Sequence, residues 1–308
     1  MTQSAVNNHR KYTRKPLPSL YDQEVYEQWI NQPFTTSIQW FHQVLVSEAL
    51  KIHQLSPEVL TTLLNRYYAI TDIQSTDSQH VDPLQRSQIP CFASQATKMS
   101  ADDYHHQIYT HQTIHLKPNS NHDLLNAFMW LSLPLTRTIN FKQMIQARES
   151  RSKIEPNKRS FLEDRITLFD ESGIAIFSDQ EDLLALIEQR DWTNLFWNRR
   201  ESVLKHLEIW IVGHGLYEQL LRPFVGLVGY GRLYKLESFE MKLQGEDKQR
   251  LIDRIIAEDI FTLTQEGSFP LSAIPILGFP RWYQANNDRV FYNDSKYFRG
   301  PYPNRPVK

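Results

Sequence analysis

Residues 165–178, with the sequence RITLFDESGIAIFS, carry the clearest β-strand pattern in the chain. Two runs of apolar and threonine residues flank the segment Asp170–Gly173, which has the composition of a turn. A short glycine-containing loop between two such runs predicts a β-hairpin, and glycine can supply the positive φ of its turn. The sequence therefore predicts a small hairpin over about 165–178, which a third strand over 226–236 could join.

Most of the remaining sequence favours helices. Apolar residues recur at three- and four-residue spacing over residues 35–55 and again over residues 246–264, which is the pattern of amphipathic helices. Ser56-Pro57 is a helix-start signal. The segment from 206 to 221 is apolar nearly all round, which predicts a buried helix. We therefore predict a predominantly α-helical α+β fold.

The two ends of the chain differ from this helical middle. Residues 1–18 carry four basic residues among Asn, Ser, Thr and Pro, with no acidic residue. Terminal segments of this kind are loose unless they are tied down. Residues 268–308 are rich in Pro and aromatic residues. We predict a flexible basic N-terminal arm over 1–18, a single compact globular domain over 19–308, and a C-terminal coil that wraps the domain surface.

Composition narrows the class of protein. Hydrophobic residues make up 41% of the chain and charged residues 22%, as in ordinary globular domains. The formal net charge of −1 gives no overall field to attract nucleic acid or an acidic membrane. One cysteine, Cys91, allows no intrachain disulfide. The first residues lack a signal-peptide pattern, and no apolar run approaches about 20 residues. We expect a cytoplasmic protein without a membrane partner.

One group of candidate site residues lies in the segment after Ser120. His122, Asn126 and Trp130 are four residues apart and share one helix face, and Asp123 lies beside them. A histidine with a carboxylate can act as an acid–base pair or bind a metal. The structural alternative is that Asp123 caps the helix that Ser120 begins.

A second group centres on His214. Glu218 follows it by four residues on the predicted buried helix, which fits either a base oriented by a carboxylate or a hydrogen-bonded pair in the core. Gly213 and Gly215 flank the histidine and indicate close approach by a backbone or a ligand. Asp170 and Glu171, at the predicted hairpin turn, are either solvated or, if they face His122 or His214, candidates for a hard-cation site.

Four blocks of sequence resemble a known family. They are HDLLNAFMW at 122–130, DRITLFDESG at 164–173 and GHGLYE at 213–218, with PILGFPRW at 275–282 as a fourth. Together they resemble the bacterial family catalogued as domain of unknown function 3025. The likeness extends over roughly residues 20–300.

The chain departs from that family's pattern at two places. Glu163 stands where the family has an arginine, which removes a cation beside Asp164, and Leu133-Pro134 replaces a Phe-Pro pair. The resemblance implies an ordered domain and carries no activity that can be transferred.

The leading hypothesis is a hydrolase- or lyase-type enzyme that acts on a small polar substrate, with a divalent cation as a candidate cofactor. In it, His214 is the general base, Glu218 orients it, and His122 with Asp123 holds the substrate or the cation. The predicted catalytic residues are His122, Asp123, Asn126, His214 and Glu218. The predicted substrate-binding residues are Trp130, Asp170, Glu171 and Tyr217.

Two alternatives remain open on the sequence. The first is a non-catalytic binding or scaffold protein, because no GxGxxG, HExxH, GxSxG or other established catalytic motif is present. The second is a nucleic-acid-binding protein that uses the basic arm and the aromatic tail, which the net charge does not favour. The sequence specifies no protein partner.

Overall fold

The computed structural model describes residues 16–74, 90–95, 98–152 and 159–301. The predicted basic arm, residues 1–18, therefore lies almost wholly outside the described residues, as does the end of the C-terminal tail after residue 301.

Helices are the main elements of the described chain. The α-helices are α1 (Gln23–Ile30), α2 (Gln39–Ser47), α3 (Pro57–Gln74), α4 (Ala101–His111), α5 (Asn121–Ser132), α6 (Pro134–Ser152), α7 (Phe161–Ser172), α8 (Glu181–Glu188), α9 (Arg200–His206), α10 (His214–Leu220), α11 (Ser238–Met241) and α12 (Gly245–Gln265). A single π-helical turn covers Asn194–Asn198. The strands are β1 (Cys91–Ser94), β2 (Thr113–Leu116), β3 (Gly173–Ser178), β4 (Leu207–Ile211), β5 (Val228–Lys235) and β6 (Ser272–Pro275). The predominantly helical α+β fold is confirmed.

The strands form two sheets. β1 and β2 make a small parallel pair, and the other four strands form a sheet in the order β4-β3-β5-β6. β3 pairs antiparallel with β4 and parallel with β5, and β5 pairs antiparallel with β6. None of the helices in the described ranges has the length and apolarity needed to cross a membrane.

The central strand β3 lies between two hydrophobic cores. All six of its residues are buried. Ile174 and Ile176 belong to one core, and Ala175 and Phe177 belong to the other, because successive side chains of a strand point to opposite faces. A strand buried on both faces fixes the layers on its two sides relative to each other.

The hairpin predicted over 165–178 is wrong. Residues up to Ser172 form α7, and only the part after them is the strand β3. The helix begins with a reciprocal capping box between Ser160 and Glu163, a local signal that outweighs the β-like composition. Ile166 and Phe169, three residues apart, are both fully buried, as expected for one helix face. The strand predicted over 226–236 is confirmed as β5.

The single helix predicted over 206–221 is also wrong, since this run is the strand β4 followed by the helix α10. A strand buried within a sheet is continuously apolar and cannot be told from a buried helix by periodicity alone. The predicted helix over 35–55 is shorter, and α2 ends before Ala49, whose φ of 53° cannot continue it. Helix starts predicted at Pro57 and after Ser120 are confirmed.

The C-terminal segment is irregular, as predicted, apart from β6 and three short 3₁₀ turns. Its aromatic side chains from Phe279 to Phe298 pack into the core that contains Ile174 and Ile176. The buried members are Phe279, Trp282, Tyr292, Tyr297 and Phe298.

Asp253 of α12 connects two layers by capping another helix. Its carboxylate accepts hydrogen bonds from the backbone N–H of Leu135, at 2.9 Å, and of Thr136, at 2.8 Å. Both donors belong to the first turn of α6, where N–H groups have no partner within the helix. The side chain is completely buried, so water cannot replace it.

We expect Asp253→Ala to lower the free energy of unfolding by about 2–5 kcal/mol, because each buried donor left without an acceptor costs roughly 1–3 kcal/mol. Urea denaturation measures this loss. Asp253→Asn keeps an acceptor oxygen and should cost less. A loss below about 0.5 kcal/mol in Asp253→Ala would contradict the capping role.

Candidate metal centre

The site forms where the end of α7 meets the start of α10. β3 follows α7 without a loop, and Ile174 near its start pairs with Ile211 at the end of β4. The carbonyl of Gly173 then accepts hydrogen bonds from the N–H groups of Val212 and Gly213, both at 2.9 Å. The first turn of α10 is thereby fixed against the last turn of α7.

The two glycines around His214 make this close packing possible. A Cβ on Gly213 would lie 2.4 Å from the backbone nitrogen of Ser172. A Cβ on Gly215 would lie 2.5 Å from a carboxylate oxygen of Glu171 and 3.0 Å from its carbonyl. The close approach expected at these glycines is therefore made by the last turn of α7, through its backbone at Gly213 and chiefly through the Glu171 carboxylate at Gly215.

Two histidine rings meet at this junction. His122 in the first turn of α5 and His214 in the first turn of α10 have their Nε2 atoms 3.1 Å apart. The Glu171 carboxylate lies 3.7 Å from Nε2 of His214. One donor atom from each of these three residues lies within 4.8 Å of the other two, so all three could contact one ion.

The outer nitrogen of each histidine faces an oxygen acceptor. Nδ1 of His214 lies 2.9 Å from the backbone carbonyl of Asp170, and Nδ1 of His122 lies 3.3 Å from the Glu218 carboxylate. Because these oxygens only accept hydrogen bonds, both Nδ1 atoms are assigned the proton. In neutral rings, both Nε2 atoms then present lone pairs to each other.

Burial controls the protonation of His214. Its side chain is 5% exposed, and desolvation lowers the pKa of His214 to about 3, against the opposing effect of Asp170. His214 is therefore neutral near pH 7, the state in which an imidazole binds a metal. Burial, assisted by the neighbouring Asp170 carboxylate, raises the pKa of Glu171.

The distances suit a divalent transition metal. Metal–nitrogen bonds of about 2.0–2.1 Å place two tetrahedral ligands about 3.3–3.4 Å apart and two ligands at a right angle about 2.9 Å apart. The observed 3.1 Å between the Nε2 atoms lies between these values. Oxygen acceptors on the outer nitrogens of histidine ligands are the usual supporting shell of such sites.

One side of the group is open to solvent. The side chain of His122 is 42% exposed and that of Glu171 is 45% exposed. A bound ion would therefore keep coordination positions accessible to water or a substrate.

Two of the predicted site residues do not approach this group. Asp123 accepts a hydrogen bond from the backbone N–H of Lys117 at 2.7 Å, and its own N–H donates to the Ser120 hydroxyl at 3.2 Å. Its contacts are thus those of the structural alternative. Tyr217 is fully buried, and its hydroxyl pairs with that of Ser37 at 2.8 Å.

Three others gather around an arginine that sequence reasoning missed. The buried guanidinium of Arg137 donates to the carboxylate of Asp170 and, at 2.6 Å, to the amide oxygen of Asn126. It also lies 5.4 Å from the ring centre of Trp130. The sequence offers one signal for this role, because Arg137 is the sole charged residue between 124 and 141.

We expect Gly213→Ala to lower the free energy of unfolding by about 1–3 kcal/mol, because its methyl group would meet backbone atoms that cannot move aside. Gly215→Ala is the matched control. Its methyl group meets chiefly a side-chain carboxylate, and alanine gains about 1 kcal/mol in helix propensity. Urea denaturation should therefore rank Gly213→Ala as the less stable variant, and the reverse order would contradict the packing described.

The comparisons with known proteins give one match. The sequence profile described as "Protein of unknown function (DUF3025)" matches residues 91–302, a range that contains all the residues of the candidate metal centre. The part of the predicted resemblance before residue 91 lies outside that match. No curated protein and no solved structure matches the chain. Since the profile covers more than half of the sequence, the chain belongs to the DUF3025 family of proteins of unknown function.

Proposed function

We propose that this protein binds a divalent transition-metal ion through His122, His214 and Glu171 and uses it to hydrolyse a small polar substrate. The observation that carries the proposal is that the Nε2 atoms of His122 and His214 lie 3.1 Å apart. The Nδ1 atom of each ring faces an oxygen that accepts its proton. Two facing lone pairs repel each other unless a cation or a shared proton lies between them.

The surroundings of His214 favour a ligand role over the general-base role predicted from sequence. Its Nδ1–H is held by a backbone carbonyl, not by Glu218. Its ring is buried and neutral, and a base with so low a pKa retains a proton poorly near pH 7. Glu218 instead faces His122 at 3.3 Å, where we assign it the task of orienting that ring.

The proposed reaction class follows from the open side of the site. A divalent ion held by three protein ligands lowers the pKa of a bound water to about 7 and polarises a carbonyl or phosphoryl oxygen. The protein residues hold the ion, with the Asp170 carbonyl and Glu218 fixing the two rings. Two histidines and one carboxylate also bind non-haem iron(II) in oxygenases. Tighter binding of iron(II) than of zinc would therefore favour oxygen chemistry over hydrolysis.

We expect zinc to raise the thermal midpoint of the wild type. Zinc at a hundred times its dissociation constant would stabilise the folded state by about 2.7 kcal/mol, or roughly 4 °C for a chain of this size. His122→Ala should abolish that rise, because it removes a ligand.

The control for this measurement is His206→Ala. His206 also pairs with a carboxylate, Asp179 at 3.0 Å, but lies outside the three-residue group, so this variant should keep the zinc-induced rise. Equal rises in the wild type and His122→Ala, or no rise in either, would contradict the proposed ligands.

We expect the zinc- or manganese-loaded wild type to hydrolyse at least one member of a panel of activated carboxylic and phosphoric esters. A chelator should remove the activity, and the metal should restore it. His122→Ala and Glu171→Gln should lower kcat/KM at least about 100-fold, and His206→Ala should leave it unchanged. A metal-loaded protein inactive on the whole panel would contradict the hydrolytic part and favour the non-catalytic binding protein.

A further inference from the structure

We propose that Arg137 is a positioning residue of the metal centre, acting on His214 through Asp170. The inference rests on the proposed function, since it concerns the same three ligands. In this role the buried guanidinium of Arg137 holds the last turn of α7 in the geometry that the ligands need.

Arg137 itself is held from several directions. It is buried, and its two terminal nitrogens donate to Asp170 and to Asn126. The Asn126 amide nitrogen in turn donates to the hydroxyl of Tyr104 at 2.8 Å, so the orientation of that amide is fixed. The indole of Trp130 lies against the guanidinium. Two hydrogen bonds and the indole therefore hold the guanidinium, although its Nε has no hydrogen-bond partner within the part of the chain that the structure describes.

Asp170 transmits that position to the metal centre. Its carboxylate accepts from Arg137 and, at 3.0 Å, from the amide of Asn140. Its backbone carbonyl accepts the Nδ1–H of His214 at 2.9 Å. The next residue in the chain is the ligand Glu171. A shift of Asp170 would therefore rotate the His214 ring and displace the Glu171 carboxylate together.

This arrangement gives a common role to three residues that the sequence analysis assigned to the site. Asn126, Trp130 and Asp170 all contact Arg137, and none of them belongs to the three-residue ligand group. Each of them helps to hold the Arg137 guanidinium in place. The substrate-binding and catalytic roles expected of them are then not needed.

The test uses Co²⁺ as the probe, because its visible absorption reports the ligand geometry. We would measure the Co²⁺ spectrum and dissociation constant for the wild type and for Arg137→Met, which keeps an apolar stem of similar length. We expect Arg137→Met to weaken Co²⁺ binding about 10- to 100-fold, the usual loss for a supporting residue of a metal site, and to change the absorption bands.

The matched control is Arg232→Met. Arg232 makes a two-point ion pair with Asp259, at 2.7 and 2.8 Å, on β5 and α12. Its loss should lower stability, because it too breaks a partly buried pair, but it should leave the Co²⁺ spectrum and dissociation constant unchanged. A role of Arg137 in stability alone would make the two variants behave alike.

A second variant covers the case in which Arg137→Met does not fold. Asp170→Asn keeps the backbone carbonyl and the side-chain shape but removes the ion pair, and we expect it to weaken Co²⁺ binding measurably. If a folded variant of this pair binds Co²⁺ with wild-type affinity and the wild-type spectrum, the positioning role is overturned, while the metal centre itself stands. Failure of the wild type to bind Co²⁺ would overturn the metal centre and this inference with it.

Discussion

The pairing of β3 with β4 is the constraint on which the rest of the structure depends. It sets the start of one strand beside the end of the other, and the Gly173 carbonyl extends the pairing to Val212 and Gly213. Because α7 leads directly into β3 and α10 follows β4, the two helix ends meet. His214 lies beside Asp170 and Glu171 for this reason, although it follows them by more than forty residues in the sequence.

The buried polar groups at this junction show how the site is kept in place. Charged groups inside a protein are tolerated when each has a partner. Arg137 pairs with Asp170, and the neutral ring of His214 rests on a backbone carbonyl. The two facing Nε2 nitrogens, 3.1 Å apart, are the atoms that a divalent ion would contact.

The sequence predicted several features that local chemistry decides. Ser120 and Pro57 begin helices as expected. His214 and Glu218 lie four residues apart on one helix, as expected. Local composition predicted the wrong element where pairing with a distant strand decides the structure. The apolar run over 206–221 divides into a strand and a helix because β3 provides a pairing partner for its first half only.

The composition of the site was predictable only in part. The sequence singled out His122, with Asp123, to hold a substrate or a cation, and His214 as a general base. It made Glu171 a cation candidate only if it faced one of the two histidines. It could not show that Glu218 faces His122 instead of His214, since that contact joins two helices almost a hundred residues apart. Nor could it separate the proposed ligands from the residues proposed to support them, because Arg137 meets Asp170 only once α6 and α7 have packed together.

The central claim is that His122 and His214 share one metal ion. Anomalous X-ray diffraction from crystals of the zinc-loaded protein tests it most directly. We predict a single zinc peak about 2.0–2.1 Å from both Nε2 atoms, with a Glu171 oxygen as a further ligand. Crystals that show no zinc between the two rings, and a direct hydrogen bond from one Nε2 to the other, would contradict it.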